Sequence, residues 1–179
     1  MRFLARIVCC SFLVVGSVGI LGSSPARGQF FAFENPLVGE KAPDFSLKTM
    51  NGREINLTKF RGNQNTIIFF WATWCPHCRE QLQQLIGGQG EEIRKKGIKI
   101  LLIDAGETAA EVRSYIQHYK IGFELVLDED SAVSEQYHLV GVPTFLFIDK
   151  TGIVRAVEYT VPENYEEMFA SPNEDGKGS

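Results

Sequence analysis

Seven residues without a charge, Thr66-Ile67-Ile68-Phe69-Phe70-Trp71-Ala72, run straight into Thr73-Trp74-Cys75-Pro76-His77-Cys78. Beyond them Leu82, Leu85 and Ile86 recur at i, i+3 and i+4. A β-branched and aromatic run with no polar alternation predicts a strand buried on both faces. The spacing that follows predicts an amphipathic helix. The two cysteines therefore sit where a strand's end meets a helix's first turn. Pro76 suits the first helical position, where its missing N–H costs nothing. Three residues apart, the thiols share one face and can close a disulfide.

Unpaired N–H groups and the dipole of a helix N-terminus favour an anion, by about 0.3–1 kcal/mol when exposed and up to about 2 when partly buried. Cys75 is thus the candidate nucleophile and Cys78 the resolving thiol. His77 lies between them and, as an N–H donor or a cation, is placed in sequence to stabilise the thiolate. A structural disulfide and half of a zinc site are the bland alternatives. Zinc needs a second Cys/His pair; beyond residue 28 there is no other cysteine, and His118 and His138 are not spaced as a pair. The expectation is a redox pair that uses no metal and no cofactor.

The stretch Phe70-Trp71-Ala72-Thr73-Trp74-Cys75-Pro76-His77-Cys78 resembles the active-site segment of thioredoxin-like proteins. Gly39-Glu40-Lys41-Ala42-Pro43-Asp44-Phe45-Ser46-Leu47, then Gly52, Leu57 and Phe60-Arg61-Gly62, is similar to the opening segment of the redoxin-type TlpA/ResA-like thiol–disulfide oxidoreductases. Gly141-Val142-Pro143-Thr144-Phe145-Leu146-Phe147-Ile148-Asp149 resembles that family's cis-proline segment. The resemblance spans residues 36–160. It implies a thioredoxin-like α/β fold: a central mixed β-sheet flanked by helices, with an N-terminal β-hairpin and a β-α insertion at residues 123–137. It also implies an exported enzyme that exchanges disulfides with protein substrates through Cys75 and Cys78, and that a membrane or exported redox partner resets. The family default is a reductase of the cytochrome c maturation type. By the same resemblance Pro143 is cis, the Val142 backbone pairs with an extended substrate, and Trp74 belongs to the docking surface.

Two departures bear on direction. The buried acid that thioredoxin carries six residues before its first cysteine is Phe69 here. The glutamate that TlpA/ResA-like proteins carry three residues after the second cysteine is Gln81, with an acid one position earlier at Glu80. One residue is about 100° of helix rotation, so Glu80 should not fill that place. The CPHC centre resembles that of DsbA oxidants, because a donor that stabilises the reduced thiolate makes a couple more oxidising. Reductase and DsbA-like oxidant or isomerase both stay open. A peroxiredoxin needs a threonine three residues before its cysteine, where this chain has Ala72. Copper chaperones of this fold usually carry CxxxC rather than CxxC.

Residues 1–28 carry Arg2 and Arg6, an apolar run from Ile7 to Leu21 that includes Cys9 and Cys10, and a small-x-small site at Ala26-Arg27-Gly28. They read as a cleaved signal peptide, with an uncleaved N-terminal membrane anchor as the alternative. Residues 29–35 are an aromatic lead-in, 36–170 the thioredoxin-like domain and 171–179 a disordered tail. The chain's charge is −4, and losing the first 28 residues, which hold three arginines and no acid, makes it −7. That balance argues against nucleic acid as a partner. A monomer is expected. Within the domain, a hairpin should turn at Asn51-Gly52, IKILLID (98–104) should be a strand, and Thr108 with Glu111 should box the following helix. A further hairpin should join 144–148 to 153–159, and 162–170 should form a last helix. Three glycines at Gly87, Gly88 and Gly90 should stop or bend the active-site helix.

Overall fold

The computed structural model describes residues 35–170; the expected signal segment, residues 29–34 of the lead-in and the tail at 171–179 lie outside the described residues. The first hairpin forms as its turn chemistry requires: β1 (Ser46–Thr49) pairs antiparallel with β2 (Glu54–Asn56), and Gly52 supplies the positive φ of the turn. Asn56 then caps a short helix, α1 (Leu57–Arg61), by accepting from the Lys59 N–H. The cap ends the strand at Asn56 and turns Leu57 into the helix.

Next comes β3 (Thr66–Trp71), every residue of it buried, and then α2 (Pro76–Gln84). The glycine run breaks the helix at a kink, and a second helix follows at once. The kink spans a widened turn (Leu85–Gln89), with Gly88 at φ 132°, outside helical dihedrals, and leads directly into α3 (Gly90–Lys95). Leu82 and Leu85 are buried as expected, but Ile86, placed by its spacing on the same face, lies within the widened turn and is exposed. Gly90, whose own dihedrals are helical, is held by packing instead: a Cβ there would run into the Phe123 ring.

The chain continues through β4 (Lys99–Ala105), α4 (Ala109–Tyr119), β5 (Glu124–Asp128), α5 (Ala132–Gln136), β6 (Thr144–Ile148) and β7 (Val154–Glu158). The expected box at the start of α4 is present, with the Glu111 carboxylate accepting from both the N–H and the hydroxyl of Thr108. The expected last helix is reduced to turns and a single 3-10 turn at Glu167–Phe169.

One seven-stranded sheet runs in the order β2-β1-β5-β4-β3-β6-β7. It is mixed: β3, β4 and β5 are parallel, while β6 lies antiparallel to β3 and β1 antiparallel to β5. Alternation along β3 divides the core in two. Ile67, Phe69 and Trp71 face a cluster with Cys78, Leu82, Leu85 and Ile93 of the active-site helical segment and Val112 of α4. Ile68 and Phe70 face Leu57, Val133 and Tyr137. Helices therefore cover both faces, and the insertion β5-α5 ties the first hairpin to the sheet, as the thioredoxin-like reading requires. The Tyr137 hydroxyl donates to the Pro43 carbonyl at 2.6 Å, fixing the opening segment over that second face.

Candidate active site

Cys75 is the N-cap residue of α2, with Pro76 at the first helical position. Its sulfur does what a capping oxygen does elsewhere, accepting the Cys78 N–H at 3.2 Å. That bond sets an N–H dipole on the position where the thiolate's charge develops. On its other side the Cys75 thiol donates to the Val142 carbonyl, Sγ to O 3.6 Å. The Val142–Pro143 peptide bond is cis. The two segments singled out in sequence, 74–78 and 141–143, are thus brought together at the sulfur.

Both thiols are free, Cys75 is 4 % exposed and Cys78 fully buried. Burial, then the bond to Cys75, pushes the Cys78 thiol well up. The pair is asymmetric as a nucleophile and a resolving thiol must be. Trp74, next to Cys75 in the chain, is 66 % exposed, and Val142 and Pro143 are partly buried.

His77 is placed otherwise than its sequence position suggested. Its side chain is 81 % exposed, and Nδ1 lies 3.3 Å from the Glu80 carboxylate. Residues one place before the second cysteine and two places after it are neighbours across a helix turn, and a solvated imidazole and carboxylate meet there at no desolvation cost. The ring thus pairs along the helix surface, and the Cys75 sulfur takes its donor from the backbone instead.

The acids missing from the two expected positions are indeed missing there. Phe69 stacks on Phe145 at 4.2 Å, Gln81 is buried as an amide, and Glu80 is on the surface. Two acids that the sequence reading did not single out take up the region. Glu107, buried, accepts from the Thr73 N–H at 2.5 Å and the Thr73 hydroxyl at 2.6 Å, fixing the loop before Trp74-Cys75. Asp104 closes β4 on the sheet face that carries α2, beside Trp71 in register, and is 0 % exposed. Burial, then the Glu107 charge, pushes its carboxyl up to about 8. The available signal was a lone acid ending an otherwise apolar strand run. Among the described residues, no three His, Cys, Asp or Glu side chains converge as a metal site would need.

The AhpC/TSA family profile matches residues 38–157. The thiol-disulfide oxidoreductase ResA of Geobacillus thermodenitrificans is 32 % identical over 156 residues, covering 85 % of this chain and 86 % of that one. ResA of Bacillus subtilis is 29 % identical over 145 residues, covering 80 % of each. Among solved structures, the thioredoxin domain of a thiol-disulfide oxidoreductase from Bacteroides vulgatus superposes with a TM-score of 0.64 at 24 % identity, over 74 % of this chain and 98 % of that one. StoA of Bacillus subtilis superposes at 0.57 with 24 % identity, over 69 % and 90 %. At those identities the structures speak for the fold, while the ResA sequences speak for the enzyme class. A redox-competent cysteine pair, a thioredoxin-like sheet and ResA relatives over most of its length place this chain in the AhpC/TSA family, as a TlpA/ResA-like thiol–disulfide oxidoreductase.

Proposed function

We propose that the protein is exported and works as a reductase of protein disulfides, with Cys75 as the attacking thiolate and Cys78 as the resolving thiol. A substrate in extended conformation lies along Val142 and Pro143, against Trp74. Cys75 attacks one sulfur of the substrate disulfide and releases the other as a thiolate. Cys78 then attacks Cys75, frees the substrate and leaves the enzyme oxidised. A membrane or exported thiol partner returns it to the dithiol. Reduction of apocytochrome c, the default of TlpA/ResA-like proteins, is the substrate class this favours.

One observation carries the direction: His77 bonds with Glu80 rather than with Cys75. A couple becomes strongly oxidising when its reduced thiolate is stabilised, and here the sulfur accepts from the Cys78 N–H and from no side chain among the described residues. The signal-like segment at residues 1–28 supports export. No helix among the described residues is long and apolar enough to cross a membrane. Protein substrates are tested by Cys78→Ser, which removes the resolving thiol and should accumulate mixed disulfides on Cys75. Recovery of thiol-releasable proteins from the exported fraction is the expected result. Recovery of none, with Cys75 intact, contradicts a protein substrate.

A further inference from the structure

Large hydrophobic side chains left exposed among the described residues include Val140, at 82 %, and Tyr159, at 57 %. Val140 stands two residues before Val142, whose carbonyl accepts from Cys75. Tyr159 follows Glu158, the register partner of Phe145. Both line one cavity of about 520 Å³, within the range of ligand sites. Pro36 and Val38 of the opening segment, Leu139 of the loop before the cis peptide bond, and Val157 of β7 complete its apolar walls. Thr144, the residue after Pro143, reaches the same cavity. Single exposed apolar residues are ordinary, but a cavity walled by several of them asks for an occupant.

Most polar groups on these walls are already bonded. Arg155 Nε donates to Asp149 at 2.7 Å, and the Thr144 hydroxyl donates to the Gly141 carbonyl at 2.7 Å. Asn35 donates to the Tyr137 carbonyl and accepts the Leu37 N–H, each at 2.9 Å, so the opening segment is pinned as a wall of the cavity. His138 and Glu158 are the ionisable lining groups whose side chains have no hydrogen bond among the described residues, and their charges are of opposite sign. The cavity therefore offers apolar surface and no net charge.

Its position names the occupant. Cys75 Sγ lies 3.6 Å from the Val142 carbonyl, so a protein disulfide attacked at that sulfur brings its chain to Val142. Val140 is two residues further on, a span that an extended substrate covers in about two or three residues at about 3.3 Å each. We propose that the cavity is a side-chain subsite of the exchange reaction, taking a bulky apolar residue that stands two or three positions from the substrate's cysteine. This rests on the exchange reading above and deepens it, by naming the polypeptides that are preferred. Folded proteins bury such side chains, so the preferred substrates are chains not yet folded around their disulfide. The subsite acts through binding: the apolar side chain leaves water on entering, and Val140 and Tyr159 are covered with it. The same contact is made before and during exchange, so the preference belongs to the half-saturation concentration and not to the limiting rate.

The test is single-turnover oxidation of the pre-reduced full protein by short peptides whose one cysteine is joined to glutathione, with Phe or Ser at each flanking position in turn. At a position two or three residues from the cysteine, Phe should be preferred over Ser by about tenfold or more, the discrimination an apolar pocket commonly gives. The preference should lie in the half-saturation concentration, and Val140→Ser and Tyr159→Ser should each reduce it. Equal behaviour of Phe and Ser at every position, with glutathione disulfide still reduced, overturns the subsite and leaves the exchange reading standing; this arm needs no variant to fold. A preference that both variants keep in full places the contact elsewhere and also overturns it. With benzoylphenylalanine in place of Val140, light should crosslink the bound Phe peptide. Crosslinks only to a second copy of the chain, or only to its own residues 29–34, overturn the assignment of the occupant. A wild type that reduces neither the peptides nor glutathione disulfide removes the exchange reading, and the subsite with it.

Discussion

Cys75 and Cys78 differ in what surrounds each sulfur, not in chemistry. Cys75 receives an N–H and donates to the Val142 carbonyl; Cys78 is buried on the inner face of α2 and its thiol is pushed up by burial. Brief exposure of the reduced protein to iodoacetamide at mildly acidic pH should therefore label Cys75 and leave Cys78 unlabelled, as peptide mapping would show; first labelling at Cys78 would reverse the roles. His77 supplies a second prediction. Had it donated directly to the thiolate, a charged hydrogen bond of about 1.5–3 kcal/mol would be lost on substitution. At about 1.4 kcal/mol per 30 mV that means about 30–60 mV. Exposed and paired with Glu80, it can act only through a screened charge, worth about 0–1 kcal/mol. His77→Ala should thus shift the potential by less than about 20 mV on the same conversion. A downward shift of about 50 mV would put the ring on the sulfur after all. The cysteine pair was legible because it depends on spacing along one chain segment. Asp104 and Glu107 were not, because their relevance comes from the register that sets β4 beside β3, and register is not written in either strand alone.

At the scale of elements, long apolar runs and turn chemistry carried the reading. β3, β4 and the second hairpin lie within a residue or two of their expected places, and the first hairpin turns at Asn51-Gly52 as expected, since each has a run or a Gly turn that admits few alternatives. The departures are short elements: α1, created by one capping asparagine, and the dissolved terminal helix. Helices of a turn or two have no stability of their own, so packing decides them and sequence pattern does not. The bend between α2 and α3 makes a prediction. Gly90 has ordinary helical dihedrals, so alanine should favour the helix by about 1 kcal/mol on propensity alone. The Phe123 ring occupies the space of the new methyl, and overpacking of that kind costs about 1–3 kcal/mol. Gly90→Ala should be net destabilising in urea melts. Combined with Phe123→Leu, its cost should fall, a coupling that a double-mutant cycle reads directly. Additive effects would mean that the ring simply turns aside.

For the whole molecule, Asp104 links the site to stability. Its folded carboxyl sits near 8 against an ordinary 3.8, so the native state binds the extra proton between those values. Stability on its account is greatest below about pH 4 and falls as pH rises toward about 8, by up to about 1.4 kcal/mol per pH unit. Asp104→Asn should remove that slope. Its unfolding free energy should match wild type near pH 4 and exceed it at pH 8; equal curves across the range would mean an ordinary, solvated acid. The fold class and the redox pair could be read from the sequence, whereas direction depends on where one exposed imidazole points, and an i,i+3 partner on the helix surface competes for it with the sulfur. Direction is also the central claim, and the reduction potential of the Cys75–Cys78 pair, from equilibration with glutathione, tests it most directly. With a single backbone donor on the sulfur, the potential should lie below about −200 mV, on the thioredoxin and glutaredoxin side of the scale. A value near the DsbA figure of about −120 mV would contradict the account and make the protein an oxidant.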